Sequence, residues 1–200
     1  MHLILASNSP RRKELLAGLG LDFDVRVIKD IDETYPSELP VEQIPMYISE
    51  QKAKAYLDII HDDELVITAD TVVVVGQNVL GKPRDRDDAC EMLRMISGCT
   101  HQVITGVCLT SRSVHRTLSV STDVTFKSLS EQEISFYVDY YKPYDKAGAY
   151  GIQEWIGYIG VTSLEGSYFN VMGLPVQRIW QELLDIYGMD VLIHDDKAHP

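Results

Sequence analysis

Cations are in short supply in this 200-residue sequence: 18 Lys and Arg stand against 30 Asp and Glu, a formal net charge of −12 at pH 7. So acidic a chain is not a general binder of nucleic acid polymers or of anionic membranes, since both call for a basic surface. Long apolar runs are missing too. None approaches the roughly 18 residues of a membrane span. The first one ends at Ser7, too early for a secretory signal, so a cytoplasmic protein is expected. Cys90, Cys99 and Cys108 are odd in number and lack CxxC spacing, which suits reduced thiols. The histidines form no HExxH, no GxSxG occurs, and no GxGxxG follows a strand. An acidic surface does not exclude a small anionic ligand, because a few clustered cations or a metal ion can offset local carboxylates.

What is present fits one domain, with a tail after about residue 190. "HLILA" reads as a short buried strand. Ser9 and Pro10 cap a helix that should run to Leu19 and stop at Gly20. "FDVRVI" reads as a strand to Ile28, Ile44 to Ile60 as a helix, and "ELVITADTVVVV" as a strand followed by the turn signal "GQN". Asp85 to Ser97 is a helix closed by Gly98, and His101 to Thr110 with Val114 to Phe126 form a long hairpin. Ser130 and Glu133 make a capping box, and Asn170 is placed to cap a last helix running to Tyr187. Irregular alternation with a hairpin predicts an α/β fold: a long mixed twisted sheet flanked by helices.

Several stretches carry chemistry. Arg11, Arg12 and Lys13 follow the Ser9 cap in the first helical turn, where cations are disfavoured by the helix dipole. Either they face water, or "SNSPRR" cradles a phosphate with the Ser7 and Ser9 hydroxyls and two guanidinium forks. Asp70 lies inside an apolar run where an unpaired carboxylate is costly, so it reads as a metal ligand or a base more readily than as a turn residue. "GQNVLGKP" matches GxxxxGK, but Pro83 stands where a hydroxyl must meet Mg²⁺, so it is no P-loop. Lys82 is then a phosphate-reaching lysine or an exposed turn lysine. Asp32 and Glu33 in an acidic loop are solvated acids or ligands of a hard cation. In "YDKAGAYGIQ" small residues allow close packing or a flat ligand, and the Gln153 amide can read a base edge with one donor and one acceptor.

Read in order, "LASNSPRRKELL", "DET", "ADTVVV", "GKPRD", "TGV", "DKAGAYGIQ" and "GSYFNVMGLP" resemble the Maf family of nucleotide pyrophosphatases over roughly residues 3 to 185. The resemblance implies a two-lobed α/β fold with a central cleft. It implies hydrolysis of a nucleoside triphosphate to monophosphate and pyrophosphate with a divalent cation, Mg²⁺ or Mn²⁺. The last two blocks look like the branch acting on dTTP and UTP, with modified pyrimidine nucleotides left open, and not like the branch acting on 7-methyl-GTP. By this resemblance Asp70 is the proton acceptor, with Lys52 and Lys82 as further catalytic groups. Arg12, Thr71 and Gln153 fall at specificity positions. Ser7, Arg11 and Arg12 are expected at the phosphates, and Glu33 with Asp70 at the metal. Glu154 departs from a common Gly. The competing reading is a nucleotide-binding regulator of cell division with slow or no turnover. A homodimer is left open.

Overall fold

The computed structural model describes residues 2–192. The tail expected over 191–200 lies, from 193 on, outside them. β1 (His2–Leu5) leads through α1 (Pro10–Ala17) to β2 (Phe23–Val25), and a long loop leads to α2 (Ile44–Lys54). β3 (Glu64–Val75) turns back into the short β4 (Asn78–Leu80). α3 (Arg86–Ile96) precedes the hairpin of β5 (Thr100–Thr110) and β6 (His115–Phe126). α4 (Glu131–Tyr141), α5 (Trp155–Gly160), β7 (Val161–Glu165), α6 (Tyr168–Val171), α7 (Val176–Tyr187) and α8 (Met189–Leu192) follow.

Local chemistry accounts for most of these boundaries. The Ser9 hydroxyl accepts from Arg12 N at 3.4 Å and opens α1. Asp85 caps α3 by accepting from Asp88 N at 2.9 Å, and acids in that first turn offset the helix dipole. Ser130 and Glu133 exchange both bonds of a capping box at α4. Other boundaries differ from expectation. β2 ends at Val25 and not Ile28, because Arg26 turns down to fork onto the buried Glu64 at 2.6 and 2.9 Å. α1 ends at Ala17, two residues before Leu19. α2 ends at Lys54 and not Ile60; beyond it the Tyr56 hydroxyl ties down the loop, donating to Arg26 O and accepting from Ile28 N. Asn170 caps nothing. Ser167 caps α6, and Asn170 is buried, donating to Val103 O and the Thr122 hydroxyl.

One mixed sheet of seven strands carries the chain, in the order β2-β1-β3-β5-β6-β7, with β4 on β3. β1 runs parallel to both its neighbours, and the other pairings are antiparallel. β3 is the seam. On one edge it pairs continuously with β5 from Val66 to Val74. On the other edge β1 covers residues 64–67 and β4 covers 73–75, so the stretch between them has no strand beside it. Crevices of this kind, where chains diverge from a sheet at strand ends, are where α/β folds bind ligands.

β3 also divides the core. Leu65, Ile67 and Ala69 pack with Leu16 of α1 and Ile179 and Leu183 of α7. Val73 packs with Leu93 of α3 and Val138 of α4. These are the cores of two lobes. On the other sheet face, Val72 and Val74 meet Ile44 and Ile48 of α2. Each such fully buried aliphatic side chain contributes about 1.5–3 kcal/mol. α2 comes unusually close to the sheet because Gly106 has no side chain: a Cβ there would stand 2.2 Å from Met46 N. Gly106 is the β5 partner of Asp70.

Candidate active site

The cleft between the lobes has a volume of about 470 Å³. Nine residues singled out from the sequence line it, Ser7, Arg11, Arg12, Glu33, Lys52, Asp70, Thr71, Lys82 and Gln153, whereas Lys13 and Asp32 do not. Strand alternation separates their roles. Asp70 shares the face of Val72 and Val74 and points toward α2, whereas Thr71 shares the face of Ala69 and Val73. Both reach the cleft because the sheet edge is open between β1 and β4.

On the Asp70 side, Lys52 of α2 bridges two carboxylates, with Nζ 2.8 Å from Asp70 Oδ1 and 3.1 Å from Glu33 Oε1. Asp70 Oδ2 has no partner among the described residues. The close approach of α2 over Gly106 is what brings Lys52 into reach. Lys82 enters from the end of β4, exposed, with no ion-pair or hydrogen-bond partner among the described residues. The turn before it belongs to the β3–β4 hairpin, in agreement with the exclusion of a P-loop.

The two arginines of α1 part company. Arg11 crosses the cleft and donates Nη1 to Asp145 Oδ2 at 2.7 Å. Burial alone would raise the Asp145 carboxyl, but hydrogen bonds from Lys146 and Arg11 outweigh it and hold it at about 2. Arg12 is committed to protein acceptors: Nε to Gly173 O at 2.8 Å, Nη1 to Ala69 O at 2.8 Å and Nη2 to the Thr71 hydroxyl at 3.1 Å. Ala69 O lies on the open stretch of β3, so the guanidinium does there what a neighbouring strand would do. Burial lowers its pKa, opposed chiefly by Asp70. Arg12 thus braces the open edge with three of its N–H donors while still lining the cleft. Ser7 is buried and its hydroxyl accepts from Ser9 N at 3.2 Å.

The opposite end of the cleft is built from residues 145–154. Gly148 adopts a φ of +67°, and a Cβ there would stand 2.8 Å from Val73 Cγ2. Its N–H donates to Gly81 O at 3.0 Å, which joins this turn to the strand before Lys82. Gln153 follows, with its Oε1 buried and unpaired among the described groups. Burying a carbonyl oxygen without a donor is unfavourable, so such an atom marks a place for a ligand's N–H. Sequence reasoning singled out neither Asp145 nor Lys146. Their signal was the "DK" that opens the small-residue block.

As a donor set for a metal, Glu33 and Asp70 supply two carboxylates on one cation, and no group of three or more metal-ligating side chains occurs among the described residues. Two carboxylates fit a hard cation such as Mg²⁺, which takes one or two protein oxygens and fills the rest with phosphate and water.

The model of the family described as "Maf-like protein" matches residues 2–186. A protein of Phocaeicola vulgatus named dTTP/UTP pyrophosphatase is 60% identical over 181 residues, which cover 90% of this chain and 94% of that protein. Proteins of the same name from Porphyromonas gingivalis and Flavobacterium johnsoniae are 53% and 46% identical, over 93% of each of their lengths. Among solved structures, the Staphylococcus aureus Ham1 protein shares the fold, with a TM-score of 0.53 at 15% identity over 92% of this chain and 98% of that one.

Proposed function

The chain belongs to the Maf-like protein family, and from that premise we infer that it hydrolyses dTTP and UTP to the monophosphate and pyrophosphate. The observation that carries the substrate choice is the buried, unpaired Oε1 of Gln153. Uracil and thymine offer an N3–H donor between two carbonyl acceptors, and a side-chain amide meets one donor and one acceptor at once. Cytosine has an acceptor at N3, and purine rings differ in size as well. An amide that meets no donor stays unpaired, which rejects the wrong base. Thr71, held by Arg12 and by the Thr105 hydroxyl at 3.0 Å, is the polar group that joins this end to Asp70.

Asp70 acts as proton acceptor. Its Oδ1 is fixed by Lys52, which orients the carboxylate and leaves Oδ2 to take a proton from the attacking water. The water attacks the α-phosphorus, the α–β bridging bond breaks, and pyrophosphate leaves with the electron pair. Lys82, Lys52 and Arg11 meet the negative charge that builds on the phosphate oxygens. Ser7 and the free N–H groups at the start of α1 add neutral donors. Glu33 and Asp70 would hold Mg²⁺ or Mn²⁺. When bound, the cation supplies charge neutralisation and a lowered pKa for water.

No helix among the described residues is long and apolar enough to cross a membrane. Placement in the cytoplasm accords with the free Cys90, Cys99 and Cys108. The test is pyrophosphate release from dTTP, UTP, CTP, GTP and 7-methyl-GTP with Mg²⁺ or Mn²⁺. Fast release from dTTP and UTP with slow release from both purines is expected. Preference for 7-methyl-GTP overturns the substrate, and binding without turnover favours the regulator of cell division.

A further inference from the structure

The base end of the cleft contains a partly buried polar cluster that the reaction itself does not use. The Tyr137 side chain of α4 is fully buried, and its hydroxyl donates to Glu154 Oε2 and accepts from Gly151 N at 3.0 Å. Lys146, whose side chain is 9% exposed, donates to Glu154 Oε1 at 3.0 Å and to Asp145 Oδ1 at 2.8 Å. Burial, and then the hydrogen bond to Glu154, push the Tyr137 phenol upward, so it stays protonated and donating. Buried charges persist only when paired in this way.

The cluster surrounds Gln153 in the chain. It grips the backbone at Gly151 before it and the side chain of Glu154 after it. The loop is wound tightly over the carboxylate, since a Cβ on Gly151 would stand 2.9 Å from the Glu154 carboxyl carbon. Between the two grips, Gln153 lines the cleft and its amide oxygen is buried and unpaired among the described groups. Its own hydrogen bonds do not hold it, because none is present among the described residues.

We propose that Glu154 is a positioning residue for base selectivity: bound by Tyr137 and Lys146, it fixes the loop that presents the Gln153 amide. Glu154 touches no reacting atom and acts through Gln153. The proposal rests on the function inferred above. Through Lys146 and Asp145 the same carboxylate is linked to Arg11, so one chain of paired charges runs from the base end to the phosphate end.

The test compares kcat/KM for dTTP, UTP and GTP in wild type, Glu154→Ala, Glu154→Gln, Tyr137→Phe, Gln153→Ala and the Glu154→Ala/Gln153→Ala double variant, with Tm for each. Glu154→Ala should lower dTTP and UTP turnover about tenfold, below the roughly 10²-fold that a 1 Å misplacement can cost, and GTP far less. Glu154→Gln keeps an acceptor for the Tyr137 hydroxyl and should recover part of the ratio. In the Gln153→Ala background the Glu154 effect on the ratio should vanish, as expected for two residues in one path. A wild type without pyrimidine preference refutes the function itself. A wild type with that preference, but a Glu154→Ala variant that lowers all three substrates equally or keeps its full effect without Gln153, overturns the positioning role. Should Glu154→Ala fail to fold, Tyr137→Phe decides the matter with almost no change in volume, and an unchanged dTTP-to-GTP ratio there overturns the proposal.

Discussion

The two ends of the cleft are built on opposite plans. At the phosphate end the side chains come from five separate parts of the chain, around residues 7–12, 33, 52, 70 and 82, and most of their charges are already paired. At the base end one stretch, 145–154, supplies the turn, an amide oxygen with nothing to accept and, with Tyr137 of α4, the polar cluster. The difference follows from the ligand. Triphosphate charge is the same on every nucleotide, and cations balanced against carboxylates can exchange those partners for phosphate with little cost in buried charge. A base is recognised by the direction of its hydrogen bonds, and one unpaired acceptor held still conveys more about direction than several cations do.

The sharpest test of this division is Asp70→Asn. It should lower kcat about 10²–10⁴-fold for every triphosphate while leaving Tm and the substrate ranking in place. Near wild-type turnover would remove Asp70 as proton acceptor. Next comes Gly106→Ala, which attacks the phosphate end from behind the sheet. Its methyl would collide with Met46 N, so α2 must lift and carry Lys52 with it. We expect a loss of about 1–3 kcal/mol in stability, and kcat lowered on the order of 10²-fold, again without re-ranking substrates. Thermal unfolding and steady-state kinetics on one preparation check both.

Gln153→Ala should do the reverse. Leaving the base's polar groups unpaired should lower kcat/KM for dTTP and UTP about 10- to 50-fold, and the gap to GTP should narrow by a similar factor. If the ranking survives, the base end does not read the base. Lys82→Ala is milder, because the side chain is exposed: on the order of fivefold in kcat/KM, equal for all bases. A shift in preference larger than the fall in rate would move Lys82 to the other end of the cleft.

The smallest effect expected is on pH dependence. His101 is buried against Tyr150, with Nε2 2.8 Å from the Tyr150 hydroxyl and Nδ1 unpaired among the described residues. Burial pushes it down to about 4. A His whose folded pKa lies below its usual value of about 6.5 gives stability that is complete above that value and is lost as pH falls toward 4. Asp145, held at about 2, keeps its charge over that range. Lowering the pH from 6.5 to 4 should therefore loosen the base end first, with Tm falling in wild type and falling less in His101→Phe.

The sequence exposed parts of this molecule unevenly. β3 was legible to its last residue, because Val, Ile and Thr fill it and "GQN" ends it. The caps at Ser9 and Ser130 were legible because they are local hydrogen bonds, whereas Asp85, read as the first residue of its helix, is its cap. The residues that the family motifs assign to the site all line one cleft. What stayed hidden depends on residues far apart in the chain. Nothing near Arg12 tells that it braces Ala69 O, since that need arises only where β1 stops and β4 has not begun. The true end of α2 was hidden for the same reason, because the Tyr56 hydroxyl answers to Arg26 and Ile28. Lys146 carried no sign of burial until Glu154 was seen beside it.

The position of Asp70 and Thr71 on β3 has a mechanical consequence. β3 runs unbroken through the cores of both lobes, so any rotation of one lobe against the other must twist this strand near its middle. Asp70 and Thr71 then sit on the pivot, where displacement is smallest. Arg11 and Asp145 sit on the two jaws, where it is largest. Jaw opening then widens the cleft while the lever arm of Asp70 stays close to zero.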